Sequence, residues 1–138
     1  EEQLQLVPYL PHEEAVREMQ EADLALAVVE DVPANAGIIP AKIFEYMATG
    51  RRVLGIGDPE GDMARILRRA GAGEVFGYRD AEGIGRFLDA EFERVRKGDP
   101  PPPLDEEYLR TFRRRALTRR LAEFFETVLS AEPTRASA

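Results

Sequence analysis

The sequence predicts an α/β fold, a Rossmann-like parallel sheet of about four strands with flanking helices. Short apolar runs alternate along the chain with segments of helical periodicity, which is typical of βα units. The run "LALAVV" (24–29) holds six apolar residues without alternation, which is typical of a central strand covered on both faces. With 138 residues, 43% of them hydrophobic, the chain can form one domain with a core.

The predicted elements follow one another with short connections. The strands are apolar runs bounded by turn residues, and they are expected at 4–10, 24–29, 52–56 and 73–78. The helices carry apolar residues at helical spacing, and they are expected at 12–22, 40–49, 60–70 and 81–97. Together these elements would form one α/β domain over residues 1–97.

A different organisation is predicted for the last third of the chain. The segment "GDPPPP" (98–103) cannot be helical and is expected to form a stiff polyproline linker. Apolar residues at helical spacing then predict one long amphipathic helix over 104–130. Residues 131–138 are expected to form a disordered tail.

The composition excludes several kinds of site. The absence of cysteine excludes disulfides and thiolate metal sites, and a single histidine leaves no imidazole cluster, so no metal is expected. A net charge of −7 argues against a nucleic-acid partner. Because no stretch approaches the ~20 apolar residues that cross a bilayer and the first residues are acidic, the protein is expected to be cytoplasmic.

The short helix at 40–49 is the candidate binding element. Pro40 suits a first helical turn and Gly50 suits a left-handed stop. At 100° per residue the sequence separates a core face from an outward face. The core face is expected to hold Ile43, Phe44, Met47 and Ala48, and the outward face Lys42, Glu45, Tyr46 and Thr49.

The loop that precedes this helix contains Asn35 and Gly37, and it follows the carboxyl end of the strand at 24–29. Ligands bind at this edge of parallel α/β sheets, and free N–H groups at a helix start favour anions. The residues alone are equally consistent with a structural interpretation, in which Lys42 and Glu45 form an i,i+3 surface pair and the glycine only turns the chain.

A second acidic segment, "GDPEGD" (57–62), has two interpretations. Asp58 and Asp62 could form an acidic metal site. Pro59 and Gly61 favour the simpler interpretation, a capped helix start after a strand.

Residues 22–73 resemble the donor-binding half of GT-B glycosyltransferases, in particular the retaining family-four type. That family's signature is K-x-x-E-Y-M-A-x-G-x-P-V, and this chain has "KIFEYMATGRRV" (42–53). The similarity covers residues 6 to about 90. It implies a nucleotide-diphosphate-sugar site in which Glu45 holds the ribose hydroxyls while the glycine loop and helix start receive the diphosphate. The implied donor-binding residues are Glu45, Lys42, Gly37, Ile38, Ala36 and Asn35.

The chain departs from the family at two positions. Gly37 stands where many members have a sugar-binding glutamate, and Arg52 stands where a proline precedes the strand valine. No Asp-x-Asp motif is present, which is consistent with a mechanism without metal or cofactor, the nucleotide sugar being the substrate.

The resemblance also implies partners. Enzymes of this type have two Rossmann-like domains with the active site between them, and this chain begins at what resembles the third strand of the second. It is therefore expected to be a fragment that lacks its acceptor domain and is inactive alone. For the full enzyme, membrane association remains an open expectation.

The family's strand order, 3-2-1-4-5-6, predicts an open edge at residues 24–29. Either residues 4–10 move in against this strand, or the chain self-associates through it. Two alternative functions remain: a non-catalytic α/β binding or assembly module that has lost its ligand site, and a nucleotide-sugar epimerase-like domain.

Overall fold

The computed structural model describes residues 4–130, and the chain divides into two compact units, residues 1–105 and 106–138. The first unit contains a sheet and its helices. Its elements in chain order are α1 (His12–Glu21), β1 (Leu24–Val28), a 3-10 helix (Asn35–Gly37), α2 (Lys42–Ala48), β2 (Arg52–Ile56), α3 (Asp62–Ala70), β3 (Gly73–Phe76) and α4 (Ala81–Lys97).

The three strands form one parallel sheet in the order β1-β2-β3, which confirms the α/β class. The prediction of a fourth strand at residues 4–10 is wrong, since this segment has no regular structure. Leu6 is 84% exposed and Tyr9 is 95% exposed. Strand preference depends on packing against a neighbouring surface, and this segment has no such surface to pack on.

β1 lies at an edge of the sheet, so the prediction that it is central and covered on both faces is also wrong. Ala25 and Ala27 are buried, whereas Leu26 and Val28 are more than half exposed. The alternation arises because successive side chains of a strand point to opposite faces, and only one face of β1 is covered.

Helices cover the two faces of the sheet unequally. α2 contacts β1 and β2, and α3 contacts β2 and β3. Met63 of α3 reaches Gly55 on this face. α4 covers the opposite face at β2 and β3, where the rings of Phe87 and Phe76 pack edge to face with centroids 5.6 Å apart. β1 therefore keeps its α4-side residues in contact with solvent.

The end of α2 is built around a left-handed glycine, as predicted. Gly50 has φ of 73°, and its N–H donates to the carbonyl of Met47. The N–H of Arg51 donates to the carbonyl of Tyr46, which completes a Schellman motif. Only glycine adopts this backbone conformation without steric cost, so Gly50 fixes the direction in which the chain leaves α2 and enters β2.

A charged cluster joins β2 to α4 in the buried layer between them. Arg52 Nε donates to Glu91 Oε1 at 2.9 Å, and Arg94 Nε donates to Glu91 Oε2 at 2.8 Å. The three side chains are between 11% and 17% exposed. Arg52 also donates to the carbonyl of Gly71 and lies over the ring of Phe87. The arginine that departs from the family motif is thus a structural residue in this chain.

The arginines control the charge of Glu91. Burial acts to raise the pKa of this carboxyl, but the hydrogen bonds and positive charges of Arg94 and Arg52 outweigh burial and hold it below its ordinary value. Glu91 therefore remains ionised in the folded protein.

The second unit contains α5 (Glu106–Arg110) and α6 (Arg114–Ser130). The single helix predicted over 104–130 is interrupted at 111–113, where backbone N–H groups donate three residues back in tight turns. None of the helices within residues 4–130 combines the length and apolar character needed to cross a membrane. Residues 131–138 lie outside the described residues.

We expect Glu91→Gln to lower the free energy of unfolding by about 1–3 kcal/mol at pH 7, because it removes charged hydrogen bonds in a nearly buried site. The stabilisation exists above the ordinary glutamate pKa and is lost as the pH falls through the lower pKa of the folded state. In urea titrations from about pH 7 to about pH 3, the difference between wild type and variant should therefore shrink. Glu93→Gln, at an exposed pair with Arg96, is the control and should change little. A difference that is constant with pH would contradict this account.

The open edge of β1 keeps self-association as a prediction, since residues 4–10 do not pair with it. Among residues 4–130, β1 pairs only with β2, and a groove of about 260 Å³ lies between Leu24 of β1 and Phe92 of α4. Light scattering should give twice the mass of one chain, and Leu26→Lys should return the mass to that of a monomer because edge lysines oppose strand pairing. Leu4→Lys is the control. A monomeric wild type at high concentration would refute the prediction.

Candidate functional site

The carboxyl ends of the three strands bring three loops to one edge of the sheet. The loop after β1 leads through the 3-10 helix to α2, the loop after β2 leads to α3, and the loop after β3 leads to α4. Parallel strands place all three loops at the same edge, where open α/β sheets bind ligands. The candidate site is therefore built from the first loop and α2, with the other two loops beside it.

Lys42 and Glu45 lie in the first turn of α2 and are both exposed, which confirms the predicted accessibility of Glu45. Ile43 and Met47 on the opposite side are buried. Within residues 4–130 no ion pair or hydrogen bond joins the side chains of Lys42 and Glu45. The surface-pair interpretation is thus not realised, and both charged groups are available to a ligand. The predicted core position of Ala48 is wrong, since this residue is exposed.

The start of α2 differs from the prediction. The helix begins at Lys42, two residues later than expected, and has seven residues. The N–H groups of Ile43 and Phe44 already donate to the carbonyls of Pro40 and Ala41. A short helix with a tight first turn offers few free N–H groups, so any anion at this end depends mainly on Lys42 and the preceding loop.

The other predicted residues form the 3-10 helix and its exit. Ala36, Gly37 and Ile38 are exposed, and Asn35 is half-buried. The backbone N–H of Ile38 donates to the carbonyl of Asn35. These four residues therefore make one compact turn, whereas Lys42 and Glu45 share the first turn of α2. No hydrogen bond or ion pair between described residues links the two groups.

A hydrogen-bond network holds this turn. Its central residue, Tyr78, was not among the residues predicted from the sequence. Tyr78 follows β3, and its Oη lies 2.9 Å from the carbonyl oxygen of Val29 and 3.0 Å from that of Glu30. Asn35 Nδ2 donates to Tyr78 Oη at 2.8 Å and to the carbonyl of Glu30 at 3.1 Å. The side-chain N–H groups of Asn35 are therefore used within the protein. The tyrosine and asparagine are 43 residues apart, so no local pattern could have indicated the contact.

The segment "GDPEGD" lies against the 3-10 helix. A Cβ atom on Gly61 would come within 2.9 Å of the carbonyl oxygen of Ala36, and one on Gly37 would lie 3.9 Å from Asp62 Oδ2. From the sequence, the loop with Gly37 and the segment at 57–62 are two separate candidate sites. In the structure they are in contact. Asp58 accepts a hydrogen bond from the N–H of Glu60, which agrees with a turn at a helix start.

Asp62 places a carboxylate close to Gly37. Asp62 pairs with Arg65, and its hydrogen bond and charge raise the pKa of that arginine above its ordinary value. Glu60 and Asp58 also act on the pKa of Arg65 in the same direction. The carboxylates of this segment repel a diphosphate at the start of α3. The side of the loop that faces Lys42 is therefore the more favourable position for it.

Among the described residues, no group of three histidine, cysteine, aspartate or glutamate side chains is placed to hold a metal ion. Comparison with protein-family models, curated proteins and solved structures found no match.

The candidate loop holds a strained residue. Ala34 has φ of 64° and ψ of 23°, and within residues 4–130 no other non-glycine residue has positive φ. A Cβ atom makes this left-handed conformation unfavourable by about 1–2 kcal/mol. Ala34 lies directly before Asn35, so the network around Tyr78 helps to maintain this conformation.

We expect Ala34→Gly to raise the free energy of unfolding by up to about 1 kcal/mol, because glycine adopts the left-handed conformation freely. Ala36→Gly is the matched control in the same loop at negative φ, and it should give no gain, since glycine there only adds freedom to the unfolded chain. Urea titrations of both variants test this expectation. Equal effects of the two substitutions would show that Ala34 is not strained.

Proposed function

We propose that this chain is the donor-binding part of a glycosyltransferase that uses a nucleotide-diphosphate sugar. The observation that carries the proposal is the free carboxylate of Glu45, exposed in the first turn of α2 beyond the carboxyl end of β1. A carboxylate accepts hydrogen bonds from two neighbouring hydroxyls, as a ribose presents them. The same residue occupies the glutamate position of the family motif that the sequence resembles.

The diphosphate is assigned to the exposed turn of Ala36, Gly37 and Ile38 together with Lys42. Departure of a nucleoside diphosphate develops negative charge, which a preplaced cation and backbone N–H groups can stabilise. Lys42 has no ion-pair partner among residues 4–130, so its ammonium group is available for this role. Asn35 supports the turn through its own hydrogen bonds rather than facing the ligand.

The proposal includes a second domain outside this chain. The acceptor would bind to that domain, with transfer in the cleft between the two, and this chain alone is expected to transfer no sugar. No cofactor is included beyond the nucleotide sugar, and the site of action is proposed to be the cytoplasm. Membrane association belongs to the full enzyme in this proposal.

A non-catalytic module that has lost its ligand is the second candidate. The observation that favours it is the position of Asp62, whose carboxylate would lie 3.9 Å from a Cβ atom at Gly37 and would repel a diphosphate there. The pairing of Asp62 with Arg65 offsets this repulsion. Nucleotide binding therefore distinguishes the two functions.

We expect wild type to bind at least one of UDP, GDP and ADP in calorimetric titrations, and Glu45→Ala to weaken that binding. The loss should correspond to about 1.5–3 kcal/mol, the value of hydrogen bonds to a charged group. Because Glu45 is exposed, the variant should keep its melting temperature.

Glu18→Ala is the control for charge, since it removes an exposed glutamate from α1. It should leave nucleotide affinity unchanged. Equal affinity of Glu45→Ala and wild type would refute the ribose assignment, and absence of binding by wild type to all three nucleotides would favour the module that has lost its ligand.

A further inference from the structure

Tyr78 connects two strand ends to the candidate loop through one hydroxyl group. Its Oη accepts from Asn35 Nδ2 at 2.8 Å and carries one hydrogen to donate toward the carbonyls of Val29 and Glu30, at 2.9 and 3.0 Å. Asn35 uses its second amide hydrogen on the carbonyl of Glu30. A residue that follows β3 thus connects the start of the loop after β1, at Val29 and Glu30, to the first residue of the turn, Asn35.

The sheet itself does not depend on this hydroxyl. β1 pairs with β2 along its length, and the N–H of Val29 donates to the carbonyl of Ile56 at 2.9 Å. Tyr78 is 37% exposed, and its aromatic ring would remain in a phenylalanine variant. Loss of the hydroxyl should therefore release the loop while leaving the core intact.

This loop contacts the start of α3 through its 3-10 helix. Its other backbone hydrogen bonds are internal: the N–H of Val32 donates to Glu30, that of Asn35 to Val32 and that of Ile38 to Asn35. Ala34 within it is strained, and a strained residue persists only where its surroundings determine its conformation. Tyr78 supplies the side-chain hydrogen bond that reaches this loop from β3.

We propose that Tyr78 is a positioning residue, whose hydroxyl fixes the turn of Asn35, Ala36 and Gly37 in the conformation that receives the diphosphate. That the ligand is a diphosphate rests on the proposed function. That Tyr78 restrains the turn rests only on the hydrogen bonds described above. A turn that is already ordered loses less conformational entropy when a ligand binds, so the hydroxyl acts on affinity without touching the ligand.

The test compares Tyr78→Phe with wild type by hydrogen exchange and by calorimetry with UDP, GDP and ADP. Amide exchange at Asn35 and Ile38, whose N–H groups donate to the carbonyls of Val32 and Asn35, should become about tenfold faster, the factor expected for loss of one hydrogen bond. Exchange in β2 and the melting temperature should stay unchanged. The affinity for the nucleotide that wild type binds should fall about fivefold.

Tyr9→Phe is the control, because Tyr9 is 95% exposed in a segment without regular structure. It should match wild type in both measurements. Unchanged loop exchange in Tyr78→Phe would overturn the proposal, and so would faster exchange with unchanged nucleotide affinity. If wild type binds none of the three nucleotides, the proposed function falls, and loop exchange alone then decides whether Tyr78 restrains the turn.

Discussion

The ionic cluster of Arg52, Glu91 and Arg94 is the interaction on which the first unit depends. It joins the first residue of β2 to the middle of α4, and its arginines also donate to the carbonyls of Gly71, just before β3, and Asp99, just after α4. A buried charge is tolerated only when it is paired and hydrogen-bonded, so the position of each partner determines that of the others. The cluster therefore sets how α4 lies over β2 and β3.

This arrangement places the charged cluster and the candidate site at opposite ends of the sheet. The charged cluster lies near the amino ends of β2 and β3, whereas Tyr78 and Asn35 form their network at the carboxyl edge. The network contains no charged side chain, so its hydrogen bonds are individually weaker than those of the cluster. The loop is therefore held by weaker interactions than the contact between β2 and α4.

Local patterns predicted the elements that depend on local interactions. The helix at 81–97 matches α4, the strand at 52–56 matches β2, and the left-handed Gly50 ends α2 as expected. The predictions of a strand at 4–10 and of a central β1 were wrong. Both required a neighbouring strand, which no local pattern specifies. An apolar run shows that a segment can be buried, but tertiary structure decides whether it is.

In the candidate site, too, local features were predictable from the sequence and tertiary contacts were not. The exposure of Glu45 followed from the geometry of one helix, whereas the contact between Tyr78 and Asn35 depends on β3 lying two strands away from β1. Arg52 is the most informative departure from the resembled motif. A proline could not supply the hydrogen bond that Glu91 receives, so the substitution belongs with the acidic residue on α4. The departure at Arg52 therefore acts on the fold, whereas the carboxylate of Glu45 stays exposed on α2, apart from this cluster.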